Sequence, residues 1–153
     1  MIPLVYVCGA SYEPERTAHA IAMLRARGAE VTHDWTPAVV VAQPHGGDVS
    51  LSGIERWRAT LDDLAAVDAA HVVLWLVSER GSTGAGFEAG YAFARGVTVI
   101  AAGPHTTATI FSSIATTTAH DDETGVEIAI RAARRIAEGR RSPSTSTIRA
   151  VDE

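Results

Sequence analysis

The chain has one cysteine, Cys8, among its 153 residues. A single thiol excludes an internal disulfide and argues against a structural zinc site, which draws on several thiolate or imidazole ligands at close spacing. Cys8 falls inside an apolar run, where a thiol is more often core filler than nucleophile. Long hydrophobic stretches are also missing: nothing approaches the ~20 apolar residues of a membrane span. Basic residues gather only at Arg134-Arg135 and Arg140-Arg141, and the net charge is −5, so duplex nucleic acid is not an expected partner. Met1 to Val7 reads as a strand without a basic leader region, so no secretory signal is expected and the expected location is the cytoplasm. What remains is a chain that is 46% apolar and 20% charged, of a length that builds one domain with its own core.

The pattern along the chain alternates. Residues 3–8 read as a buried strand and 9–11 as the turn after it. Residues 14–27 read as an amphipathic helix ended by Gly28, and 30–34 as a short strand. Two prolines, adjacent glycines and polar residues make 36–52 a long loop. A helix follows to Val67, with Ile54, Trp57, Leu61 and Leu64 on one face. The continuous apolar run 71–77 reads as a central strand, 83–95 as a helix closed by Gly96, and 97–101 as a strand. A short helical turn at 110–114, a weak edge strand at 115–118 and a helix over 124–138 complete the domain, taken as residues 1–139. Residues 140–153, rich in Ser, Thr and Arg, read as a disordered tail. This alternation predicts a doubly wound α/β domain, Rossmann-like or flavodoxin-like, around a mostly parallel five-stranded sheet.

Ligands of such sheets bind outside the carboxyl ends of the strands, where the strand order reverses. The ends concerned are Gly9 to Ser11, Asp34 to Thr36 and Ser78 to Gly86. The run Gly81-Ser82-Thr83-Gly84-Ala85-Gly86-Phe87-Glu88 is a strand-to-helix turn, which offers free backbone N–H groups to an anion or a sugar oxygen. Glycines 84 and 86 let a ligand approach the backbone, and Glu88 projects from the first turns of the helix. Three side chains converge on this edge: Tyr6, Asp63 and Glu88. Two carboxylates and a phenol around a crevice are the equipment of glycosidic chemistry, one carboxylate attacking the anomeric carbon while the other serves the leaving group. Each also has an ordinary reading. Asp62 and Asp63 suit a solvated helix face, Tyr6 suits strand packing, and Glu88 suits a helix dipole. Trp57 and Trp75 read as core, His19 and His120 as surface. His33, Asp34 and Trp35 stand at a strand end facing the site, where Trp35 has the chance to stack on a base.

Over residues 4–115 the chain resembles the nucleoside 2-deoxyribosyltransferase superfamily, and within it the 2′-deoxynucleoside 5′-monophosphate N-glycosidases. The resemblance is carried by Val5-Tyr6-Val7-Cys8-Gly9, by Asp63-Leu64 eight residues before the His71-Val-Val strand, and by Ser82-Thr-Gly-Ala-Gly-Phe-Glu88-Ala-Gly90. It implies Glu88 as the nucleophile of a glycosyl-enzyme intermediate, Asp63 as its acid/base partner and Tyr6 as the residue that orients Glu88. Ser82 and the glycine amides after it resemble a 5′-phosphate site, with Gly9 and Ser11 on the opposing loop. Arg16 resembles a phosphate-contacting arginine, and Ser112 or Ser113 a serine lent to the partner subunit's site. The implied substrate is a small nucleotide or nucleoside, in a homo-oligomer with shared sites, with neither metal nor organic cofactor. The chain departs from the pattern in two places. His71 stands where an aspartate is usual, and Ser11-Tyr12-Glu13-Pro14-Glu15 replaces a glycine-rich loop, placing two acids where a phosphate would come. Ribonucleotide hydrolysis, base exchange between nucleosides and ligand sensing without turnover are the alternatives.

Overall fold

The computed structural model describes residues 1–42 and 51–139. Five parallel strands, β1 (Leu4–Cys8), β2 (Glu30–Val31), β3 (Val72–Leu76), β4 (Thr98–Ala102) and β5 (Thr117–Ala119), form one sheet in the order β2-β1-β3-β4-β5. The connections carry α1 (Pro14–Ala26), α2 (Thr36–Ala42), α3 (Gly53–Ala69), α4 (Thr83–Ala94) and α5 (Asp122–Ala137), with a 3-10 turn at Ile110–Ile114. This is the expected doubly wound α/β domain, with every strand pair parallel.

The central strands are apolar on both faces because both faces are covered. On one face Val5, Val7, Leu74, Leu76 and Ile100 meet Ile21 and Leu24 of α1 and Val126 and Ile130 of α5. On the other, Tyr6, Cys8, Val73, Trp75 and Val99 meet Val67 of α3 and Ala85 and Ala89 of α4. Successive residues of β1 therefore serve opposite layers, and that alternation turns Tyr6 toward α3 and α4. The order reverses between β1 and β3, so the crevice at their carboxyl ends is the topological switch point.

Helix starts follow local chemistry. In α3, Ser52 and Glu55 form a reciprocal capping box. In α4, Ser82 caps by accepting from the Ala85 N–H at 3.3 Å. In α5, Asp121 accepts from the Thr124 N–H at 2.7 Å.

The structure corrects several expectations. The second strand stops at Val31 rather than running to residue 34, because Asp34 is drawn into a turn: its Oδ1 accepts from the Thr36 hydroxyl at 2.6 Å. That turn starts α2, so residues 36–42 are helical and not loop, despite the β-branched run Val39-Val40-Val41. The remainder of the expected loop, 43–50, and the expected tail, 140–153, lie outside the described residues. The edge strand sits at Thr117–Ala119, slightly later than expected. Trp57 is not core: it is 62% exposed, and Ile54 and Leu61 beside it on α3 are 59% and 46% exposed. Trp75 is buried.

Candidate active site

At the switch point lies a cavity of about 410 Å³. Its walls come from four places: Gly9 and Ser11 after β1, His33 and Trp35 after β2 with Ala38 and Val39 of α2, Arg56 to Leu64 along α3, and Ser82 to Glu88 at the start of α4. The α2 and α3 side is largely apolar, whereas the side formed by Gly9, Ser11, Ser82, Asp63 and Glu88 is polar. An apolar slot with a few convergent polar groups is the usual form of a small-ligand site.

Tyr6 is fully buried beneath this cavity. Its hydroxyl donates to Asp63 Oδ1 at 3.2 Å, and the Glu88 carboxyl group is close enough for the two to act on each other electrostatically. Burial, then the charges of Glu88 and Asp63, hold the Tyr6 hydroxyl far above the ordinary phenol range, so it stays protonated and acts as a fixed donor. Glu88 is pushed up from 4.5 to about 8, first by burial and then by the nearby Asp63, with the Tyr6 hydroxyl acting in the opposite direction. Two carboxyl groups that share a desolvated corner cannot both ionise easily, so near neutral pH the pair holds a proton. Burial and Glu88 also push the Cys8 thiol well up, which leaves a neutral thiol sealed in the core.

The remaining residues expected at the site divide into two groups. Gly9, Ser11, Trp35, Ser82 and Gly84 line the cavity. The Trp35 indole N–H donates to the Val7 carbonyl at 3.0 Å, which fixes its ring at the end of β1. Gly9 is required by close approach, because a Cβ there would collide with the Thr17 hydroxyl of α1. Gly86, Arg16 and Ser112 are not among the lining residues. Arg16 is turned into an ion pair with Asp122, and the Ser112 hydroxyl donates to the Thr109 carbonyl at 2.8 Å within the 3-10 turn.

Arg56, Thr60, Val39 and Phe87 line the cavity without having been expected there. For α3 a signal was present: Arg56, Thr60 and Asp63 recur at helical spacing and share one face. His33, placed at the site edge without a role, has Nε2 3.7 Å from Asp63 Oδ1. Among the described residues, no three His, Cys, Asp or Glu side chains come together as a metal site. Nor is any described helix long and apolar enough to cross a membrane.

No family model matches the chain, and no curated protein matches it. Solved structures do. A CMP N-glycosidase of Clostridium botulinum superposes with a TM-score of 0.54 at 15% identity, covering 82% of this chain and 95% of that one. A conserved protein of Enterococcus faecalis superposes with a TM-score of 0.59 at 14% identity, covering 86% and 99%. The likeness is one of fold: what is shared at these identities is the doubly wound α/β architecture.

Proposed function

We propose that this chain hydrolyses the N-glycosidic bond of a nucleoside or nucleotide through a glycosyl ester on Glu88. The observation that carries the reading is the meeting of buried Tyr6 with half-buried Asp63 and Glu88 at the wall of an apolar slot. A fold shared with a CMP N-glycosidase supports it.

The chemistry follows from the one proton that the carboxyl pair holds. In the free protein that proton rests on Glu88; as substrate binds it passes to Asp63, and the Glu88 carboxylate so freed attacks C1′ as the bond to the base nitrogen breaks. The bond's electron pair leaves on the base, and the Asp63 proton neutralises it. Water then attacks C1′, returns a proton to Asp63, and the sugar departs from a regenerated Glu88 carboxylate. The Tyr6 hydroxyl holds the two carboxyl groups in register throughout. Trp35, Val39 and Phe87 offer apolar surface to the flat base. A 2′-deoxy sugar reaches the cationic transition state more readily than a ribose, so deoxyribosyl substrates are expected to react faster. The sequence resemblance favours a 5′-monophosphate among them.

The test is to incubate the purified chain with a panel of nucleosides and their monophosphates and to separate liberated bases by chromatography. Base release from at least one is expected. Stoichiometric binding with no release from any would instead make the chain a sensor. Addition of a different free base, with search for the exchanged nucleoside, tells hydrolysis from transfer.

The bare apolar stripe on α3 supports a homo-oligomer. Ile54, Trp57 and Leu61 on α3, with Phe87 of α4 58% exposed, are large apolar side chains open to solvent, and such surface is ordinarily covered. Sedimentation is expected to give a dimer or larger species, reduced to monomer by joint Trp57→Glu and Leu61→Glu substitution. A monomeric parent protein at micromolar concentration would refute this assembly.

A further inference from the structure

The apolar half of the cavity carries few polar side chains, and they differ in whether they donate or accept. Among the described residues, Arg56 is the one guanidinium in the lining. A guanidinium has donors only and keeps its charge at every working pH. Its Nη1 donates to the Leu51 carbonyl at 2.6 Å, which ties one arm of the fork to the start of α3. Nε and Nη2 make no hydrogen bond to any described residue. Thr60, one turn further along the same face, is the complement. Its hydroxyl donates to the Arg56 carbonyl at 2.9 Å, so the proton is committed and the oxygen offers the cavity a lone pair. His33 also lines the cavity, but a neutral imidazole both donates and accepts, so it fixes no sign.

The order of these groups along α3 gives the pair a direction. Thr60 stands three residues before Asp63 and Arg56 seven, which is about 5 Å and about 10 Å along the helix axis. With the glycosidic nitrogen at Asp63, a base lying in the apolar slot meets Thr60 with its ring edge and Arg56 with its far exocyclic group. An acceptor then faces a ring nitrogen, and a donor faces the exocyclic atom. Uracil, thymine, hypoxanthine and guanine match this with a ring N–H beside a C=O. Cytosine and adenine present a bare nitrogen and an NH2 group instead, so both contacts set like against like. The guanidinium also stands where charge gathers. As the C1′–N bond breaks, its electron pair passes to the base and is shared by conjugation with the exocyclic oxygen, until the Asp63 proton neutralises the base. A cation at that oxygen stabilises the transition state more than the bound substrate.

We infer that Arg56, with Thr60, selects the base. The cavity favours bases with a carbonyl on the far side of the ring from the glycosidic nitrogen over their amino counterparts. The inference rests on the glycosidase reading above and names the class of base within it.

Deoxyuridine against deoxycytidine, and deoxyinosine against deoxyadenosine, differ only along that edge. Each pair is assayed both as nucleosides and as 5′-monophosphates, so that the phosphate does not enter the comparison. The keto member is expected to lead by about tenfold in kcat/KM, the worth of one charge-assisted hydrogen bond at a solvent-exposed arginine, with part of the lead in kcat. Equal or faster cleavage of the amino members overturns the inference and leaves the glycosidase reading standing. Bases also differ in intrinsic leaving ability, so the variants carry the assignment to Arg56. Arg56→Lys, still a donor only, is expected to keep a preference of the same sign. Arg56→Ala is expected to narrow it to within about threefold, and Arg56→Glu, an acceptor only, to shift it further toward the amino members. A merely structural Arg56 would lower all four substrates alike, and that result refutes the role. Calorimetry with the same nucleosides covers a parent protein that releases no base. Tighter binding of the keto members, lost in Arg56→Ala protein, would then keep the base assignment while the catalytic reading falls. Equal binding, or none, would remove both.

Discussion

Glu88→Gln protein is expected to lose base release by at least about 10⁴-fold in kcat while keeping its fold, because the covalent step has no substitute nucleophile. Cys8 is sealed and neutral, and Asp63 is needed for the leaving base. Asp63→Asn is expected to cost less, about 10²- to 10³-fold, and least with substrates whose base leaves readily without protonation. That contrast in leaving-group dependence separates the two roles. Rates measured with purified variants across a set of bases give the answer, and a Glu88→Gln protein within tenfold of the parent would end the nucleophile assignment.

The second large effect concerns stability and pH. Glu88 holds its proton in the folded chain up to about pH 8, whereas in the unfolded chain it releases it near 4.5. The native state thus binds more protons than the unfolded state across that window. The stability associated with the neutral group is complete below pH 4.5, falls as pH rises, and is gone above about 8. Glutamine cannot ionise, so Glu88→Gln protein escapes the loss. The variant is expected to match the parent near pH 4.5 and to exceed it by about 2–4 kcal/mol near pH 9, an amount reduced for the partial exposure of the carboxyl group. Chemical denaturation at a series of pH values measures the gap. A gap independent of pH would mean that Glu88 is an ordinary solvated acid. Base release by the parent is expected to fall over the same upper limb, as the carboxyl pair loses the proton meant for the departing base.

The sequence made some of this plain and hid the rest for identifiable reasons. Continuous apolar runs mark β1, β3 and β4 because strands buried on both faces have no polar side. Tyr6, Asp63 and Glu88 were legible as a set once the strand ends were located, since ligands meet such sheets there. Residues 36–42 read as loop because two prolines, adjacent glycines and polar residues mark the whole stretch 36–52, while Pro37 falls in the first turn of α2, where proline is tolerated, behind the turn at Asp34 that starts the helix. Helical spacing identified the stripe of Ile54, Trp57 and Leu61 but could not say whether the domain's own core covers it. It does not. The partner of Arg16 lies 106 residues away, so no local pattern could tell that this guanidinium is already taken.

The hydroxyl of Tyr6 and the carboxylate it touches are separated by 57 residues of chain. Glu88 lies further on still, past β3, whose alignment beside β1 brings the three together. No contiguous fragment that ends before α4 holds all three residues of the proposed catalytic set. A polypeptide emerging from the ribosome therefore has most of its length made before the three side chains can meet, and a protease cut between β1 and α3 would separate phenol from acid. Assembly of the reactive corner is a non-local event, and in a denaturant titration its appearance would coincide with closure of the whole sheet rather than with formation of any one helix.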